Sequence, residues 1–276
     1  MKISIWSVFV RCRSAMIGLS IILLILCVAV FGPMVTAEVQ ISDQSFLPPL
    51  SSAVFGTDDL GRDVLSQMAR GASVSLTIGL SAALVSVAIG TIIGAVAGYH
   101  GGLVDDLLMR IAEAFQVIPQ FFLAILIVAL FGSSTGKIIL VIAILSWPST
   151  ARLTRAEFLK LRAQDFVQAS RISGASRLHL IFAEILPNAL PPIIVNTSML
   201  VASSILTETN LSFLGLGDPN RVSWGQMLYN AQPFLRTAWW MAVFPGLAIL
   251  LTVLGFNLLG DGLNDVFNPK NRGGAK

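Results

Sequence analysis

The segment Gly132-Ser133-Ser134-Thr135-Gly136-Lys137 comes nearest to a chemical motif, because it carries the residue types of a phosphate-binding loop. Such a loop cradles phosphate oxygens on successive backbone N–H groups, with a Lys at the outer phosphates and a Ser or Thr hydroxyl on Mg²⁺. Here the glycines stand four steps apart where five are needed, and Ile138 occupies the hydroxyl position. The segment reads as a turn. Gly215-Leu216-Gly217 lacks the third glycine and the preceding strand of a dinucleotide site. His100 and His179 lie far apart without a matching ligand spacing, Cys12 and Cys27 stand alone, and no Gly-x-Ser-x-Gly elbow occurs. These residues predict neither a metal site nor catalysis, and no cofactor in this chain. Three carboxylates remain, Glu113, Glu208 and Asp261, because each lies in or beside an apolar stretch where charge is costly. No run of acids and bases along one stretch suggests a proton relay.

The stretches around these residues are long and apolar. The 276 residues are 55% hydrophobic and 12% charged, with mean hydropathy +0.79. A soluble domain carries about 25% charged residues, so this chain has too little polar surface to cover a globule. Lipid must face much of it. A net charge of +3 is too small to point to nucleic acid. Crossing about 30 Å of hydrocarbon takes roughly 17–25 helical residues. Apolar runs occur at residues 15–31, 74–98, 118–131, 138–148, 189–206 and 239–259. The third extends back through 107–117 and the fourth forward to Leu153. The expectation is an all-α polytopic membrane protein of about six spans.

Thirteen of the 18 Lys and Arg residues fall on one side of that topology. They are Lys2, Arg11 and Arg13 before the first span, Arg110, the group Arg152, Arg155, Lys160, Arg162, Arg171 and Arg177, and Lys270, Arg272 and Lys276 at the end. The excess of positive charge marks the cytoplasmic side, which predicts cytoplasmic N and C termini. The basic start, apolar run and Val35-Thr36-Ala37 have the look of a cleaved secretory signal, but 15–31 exceeds the usual apolar length of about 7–15 residues. An anchor is expected. The chain then divides into a first segment (1–33), an external segment (34–73), a transmembrane core (74–261) with an internal loop (152–188), and a tail (262–276).

Within the second span Gly90, Gly94 and Gly98 share one helix face, where their lack of side chains predicts close packing of a neighbour. Glu208 ends the fifth span beside Thr207, Thr209 and Asn210. It reads either as an interfacial carboxylate held by neighbouring donors or, with Asn210, as a residue of a translocation path or its outer gate. The internal loop is the most informative part. Residues 165–174 read as a short amphipathic helix closed by Gly174, with Phe166, Ala169 and Ile172 or Ser173 on one face. Ser176 offers a second N-cap, and a further helix over 177–186 is expected to end at Pro187. Small residues at Ala169, Ser170, Gly174 and Ala175 leave a flat surface suited to a partner's groove.

Gln168-Ala169-Ser170, then Gly174, then Glu184-Ile185-Leu186-Pro187 resembles the EAA loop of binding-protein-dependent ABC permeases. Gln168 stands where that family usually has glutamate, Ser170 where it has a second alanine, and Glu184 where isoleucine is common. Phe55-Gly56-Thr57-Asp58-Asp59-Leu60-Gly61-Arg62-Asp63, Leu211-Ser212-Phe213-Leu214-Gly215-Leu216-Gly217, Ser223-Trp224-Gly225, Gly98-Tyr99-His100-Gly101-Gly102 and Trp147-Pro148 narrow the resemblance to the C-type permeases for dipeptides, oligopeptides and nickel. It runs from about Phe55 to Pro269.

The resemblance implies the type I ABC importer permease fold in a bacterial inner membrane. It implies a second homologous permease subunit, two cytoplasmic ATPase subunits that bind the ATP and Mg²⁺, and a periplasmic solute-binding protein. It assigns coupling to the ATPases to Gln168, Ala169, Ser170, Gly174, Ala175, Leu186 and Pro187. The implied cargo is a peptide, an opine, a glutathione-like peptide or chelated nickel. The external 55–66 segment is expected to fold as a cap over the outer mouth, with Asp58 or Asp63 paired to Arg62. The rival class is a self-sufficient channel or secondary transporter, which would need a charge relay or a selectivity constriction.

Overall fold

A computed structural model describes residues 9–10, 12–36 and 38–267. Lys2, Arg11, Lys270, Arg272 and Lys276 of the charge asymmetry, and Ala37 of the signal-like motif, lie outside the described residues. Among the described residues the fold is helical, with one isolated antiparallel bridge between Thr57 and Asp63. Five continuous helical stretches are long and apolar enough to cross a membrane, or six if a pair bent at a short break counts as one span.

The first span is α1 (Arg13–Val35). It packs along α10 (Trp240–Phe267), where a Cβ on Gly18 would stand 2.6 Å from the Leu259 nitrogen. That seam, with Gly18 against Gly255 and Leu259 and Gly262 against Ala15, makes α1 part of the bundle. The second span, α2 (Val64–His100), begins ten residues before the expected apolar run. The cause is a cap: the Asp63 carboxylate accepts from the Ser66 N–H at 2.8 Å and its hydroxyl at 2.6 Å.

The expected third span is two helices, α3 (Gly102–Val117) and α4 (Gln120–Phe131), bent by 79°. The break lies at Ile118-Pro119. A residue before proline is pushed out of the helical region, and Ile118 sits at φ −93°, ψ 132°. The fourth span, α5 (Thr135–Arg162), is longer than the apolar run suggested and carries Pro148 inside it. Gly90, Gly94 and Gly98 press α2 against α5. A Cβ on Gly90 would lie 2.6 Å from Thr150 Cβ and 2.7 Å from the Trp147 carbonyl oxygen, and one on Gly98 would lie 2.7 Å from Phe158 Cβ. Only glycine permits that approach.

A short helix, α6 (Asp165–Ile172), leads to α7 (Arg177–His179), a π-helical turn (Leu180–Ile185) and α8 (Leu186–Leu211). The helix expected to end at Pro187 does not end there, and Arg177–Leu216 forms one continuous span. Proline removes an N–H and crowds the carbonyl of the preceding turn. The wider π turn just before Pro187 takes up that misfit, so the rod continues. A second π turn (Ser212–Leu216) closes it, followed by α9 (Trp224–Ala231) and α10.

Candidate functional site

The two ends of the bundle are built differently. At the first end, residues 57–63 wrap around a buried carboxylate. Asp58 accepts at one oxygen from the Leu60 and Arg62 amides, both at 2.9 Å, and at the other from Arg62 Nε at 2.7 Å and Gln67 Nε2 at 2.8 Å. Arg62 therefore pairs with Asp58, while Asp63 caps α2. Thr57 ties the segment to the last span, because its carbonyl accepts from Trp240 Nε1 at 3.0 Å. Phe55 stacks on Phe244 with ring centroids 4.1 Å apart.

Glu208 lies at the same end, fully buried. The Ser212 hydroxyl donates to one carboxylate oxygen at 2.7 Å and the Ser75 hydroxyl to the other at 3.3 Å. Ser75 in turn accepts the Trp224 backbone N–H at 3.2 Å, and Trp224 Nε1 donates to the Met68 carbonyl at 3.1 Å. One carboxylate thus joins α2, α8 and the start of α9. Glu208 meets no surface of this chain, whereas Asn210 is exposed.

The Gly132–Lys137 segment is a turn followed by the first residues of α5, at this same end. Gly132 adopts φ +78°, and Lys137 Nζ donates to the Phe131 carbonyl at 2.7 Å. The Thr135 amide and hydroxyl donate to Asp218 at 2.8 and 2.7 Å. Partial burial alone pushes the Asp218 carboxyl up. The Thr135 and Asn220 donors and the nearby Arg221 charge outweigh it and hold the carboxyl below its ordinary range.

At the opposite end, α6 is held from inside by one side chain. Val167 is fully buried in an apolar cluster that also holds Tyr99, Phe158, Leu180, Ile185, Ala189 and Ile193. Through that cluster the loop is tied to α2, α5 and α8. Arg162 adds a second link, donating to the Tyr99 carbonyl at 2.6 Å. The opposite face of α6 is open: Ile172 is 86% exposed and Phe166 42% exposed, and Ala169, Ser173 and Gly174 are exposed as well. Gly174 adopts φ +86° with no atom within 4 Å of a built Cβ, so it ends the helix without filling the surface. Ala175 and Leu186 are half-buried, and Pro187 is exposed.

The positions where the sequence departs from the EAA pattern have partners inside the chain. Gln168 donates through Nε2 to the Arg162 carbonyl at 2.8 Å. The Ser170 hydroxyl donates to the Glu184 carboxylate at 3.2 Å, and His179 stands 3.7 Å from that carboxylate. Two departures 14 residues apart therefore form one clip across the loop. Spacing alone gave no sign of it, because the intervening turn at Gly174 sets the approach.

Residues 90–273 match the family described as binding-protein-dependent transport system inner membrane component. The chain belongs to that family. Residues 3–49 match the N-terminal TM domain of oligopeptide transport permease C. The permease is 39% identical to the di/tripeptide transport system permease protein DppC of Pseudomonas aeruginosa, over 98% of this chain and 92% of that protein. It is 39% identical to the oligopeptide transport system permease protein OppC of Bacillus subtilis, again over 98% and 92%. It is 38% identical to the dipeptide transport system permease protein DppC of Haemophilus influenzae, over 96% and 93%. The permease is thus a transport subunit of an ABC importer and not an enzyme, which sets aside the channel and secondary-transporter class.

Proposed function

We propose that this permease forms one half of the path by which a peptide, or a related small solute such as an opine, a glutathione-like peptide or chelated nickel, crosses a bacterial inner membrane into the cytoplasm. A second homologous permease supplies the other half, two ATPase subunits bind ATP and Mg²⁺ on the cytoplasmic side, and a periplasmic binding protein delivers the solute. Both termini and α6 face the cytoplasm in this reading, as the charge asymmetry favours. The names of the relatives support peptides ahead of the other solutes.

The observation that carries the coupling role is the two-sided construction of α6. Its inner face is locked by Val167, while Ile172, Ala169 and Gly174 offer an open, small-residue surface. Docked in a groove of the ATPase, that surface moves with the ATPase, and the Val167 anchor carries the motion into α2, α5 and α8. Burying Ile172 there contributes about 1.5–3 kcal/mol. ATP acts through differential affinity for the two states of the assembly. Leu186 and Pro187 continue the lever into α8. At the outer end Glu208 acts as a pin for the gate, joining α9 to the spans, and Asn210 is the one of the pair free to meet solute.

The test is ATP hydrolysis by the complex that copurifies with this chain, with and without binding protein. Stimulation by the loaded binding protein is the expected result. A complex without an ATPase would overturn the reading. Gly174→Trp is expected to abolish uptake while the complex still assembles in the membrane; normal uptake by that variant would remove the coupling assignment.

A further inference from the structure

Between α3 and α5 lies a cleft of about 330 Å³ lined by Asp106, Met109, Arg110, Glu113, Arg152 and Arg155, within the roughly 300–1,000 Å³ of small-molecule sites. Asp106, Arg110 and Glu113 follow one another at steps of four and three, so they share one face of α3. Arg152 and Arg155 come from the facing α5. Behind them the buried Asp105 carboxylate takes Nε of Arg155 on one oxygen and its second guanidinium nitrogen on the other at 2.6 Å. That pair fixes Arg155 and closes the back of the cleft.

The remaining four charges are less engaged, Asp106 facing Arg155 only at longer range. Among the described residues, Asp106, Arg110, Glu113 and Arg152 form no ion pair or side-chain hydrogen bond, and all four are exposed. Two carboxylates and two guanidiniums therefore surround one cleft without neutralising one another. The helix that carries three of them belongs to a bent pair long and apolar enough to enter a membrane, and its other exposed residues, Leu103, Leu107 and Ile111 among them, are apolar. Ionisable groups on such a helix turn toward a water-filled or protein-lined space, because lipid would penalise them. Glu113 stands out in the sequence as a carboxylate beside an apolar stretch, but its neighbours in this cleft become visible only where α3 packs on α5.

We propose that the α3–α5 cleft receives a zwitterionic solute in transit, its carboxylate against Arg110 and Arg152 and its ammonium against Asp106 and Glu113. This deepens, and rests on, the reading of the permease as an importer of peptides. Guanidinium and carboxylate form the stronger, charge-assisted hydrogen bonds, and the balanced charge favours a molecule bearing both signs over a plain cation or anion. Exposed groups bind only weakly, which suits a site that solute must also leave.

The experiment uses the whole complex in proteoliposomes, with Cys12→Ser and Cys27→Ser to clear the background and Met109→Cys as a reporter in the cleft. A water-soluble methanethiosulfonate is expected to label the reporter, and millimolar Ala-Ala to slow labelling several-fold. N-acetyl-Ala-Ala amide, whose ends are uncharged, is expected to leave the rate unchanged. Absence of labelling, or equal slowing by both dipeptides or by neither, would overturn the proposal. In the same complex without the reporter, Arg110→Gln with Arg152→Gln is expected to lower dipeptide uptake per ATP hydrolysed about tenfold, while binding-protein-stimulated hydrolysis stays within about twofold. Unchanged uptake per ATP would also overturn it. Loss of binding-protein stimulation in the parent complex, with selective protection retained, would sink the importer reading and leave the cleft standing.

Discussion

The end of the bundle around Asp58 and Glu208 and the end around α6 spend their polar and apolar groups in opposite ways. At the first, both carboxylates are buried and every contact named for them is made within the chain. At the second, one buried valine holds a helix whose other large apolar residues, Ile172 and Phe166, lie open. Buried polar groups that are fully bonded rigidify their surroundings, and an exposed apolar face marks a surface meant for contact. One end of the permease closes on its own carboxylates. The other, on the reading proposed above, is completed by a partner.

That contrast can be broken first at Asp58. Asp58→Ala removes the acceptor of four donors and strands Arg62, which should lower stability by about 3–5 kcal/mol; thermal unfolding in detergent reads this, and an unshifted midpoint would mean that the cap is not held by Asp58. Gly94→Leu should cost about 1–3 kcal/mol through overpacking, because its Cβ would stand 2.7 Å from Thr154 Cβ and closer still to the Ala151 carbonyl. The comparison sharpens at α6. Val167→Ala should lose about 1.5 kcal/mol for two buried carbons, whereas Ile172→Ser should change stability by no more than about 0.5 kcal/mol yet lower solute uptake. If both variants altered stability alone, the open face would have no coupling role.

The smallest effect concerns Asp218. A carboxylate whose pKa falls on folding contributes its stability above its unfolded value, about 3.9, and loses it as pH drops through the lower folded value. The tie from Asp218 to Thr135 should therefore hold at neutral pH and loosen only below about pH 4. Hydrogen exchange at the Thr135 amide would follow it, and in Asp218→Asn the same amide should lose its acid-dependent change.

Helix content and the number of crossings were legible because apolar length is a strong signal and lipid leaves few alternatives. The glycine row of α2 was legible for the same reason: residues four apart share a face in any helix. Boundaries were less so. Pro187 reads as a stop in any local scheme, and only the π turn before it shows why it is not. The charged row on α3 was legible only in part: Glu113 stood out beside an apolar stretch, whereas Asp106, Arg152 and Arg155 join it only through the packing of α3 on α5. The coupling surface was visible as a motif, but its amphipathic face was inferred from Phe166, Ala169 and Ile172, and the buried residue is Val167. Spacing names two faces of a helix and does not say which one the rest of the chain will cover. The Ser170–Glu184 clip depends on a tertiary approach that spacing does not encode.

The π turn at Leu180–Ile185 has a rotational consequence. Such a turn acts as one extra residue in an otherwise α-helical rod, and one residue is about 100° of helix phase. Everything on the α6 side of it is therefore dialled by that angle relative to the lipid-facing side of α8. Deleting a single residue from the turn would leave each local contact type available while pointing the loop's open face a quarter-turn or more away. The angular setting of this lever is written as a one-residue surplus upstream of a proline.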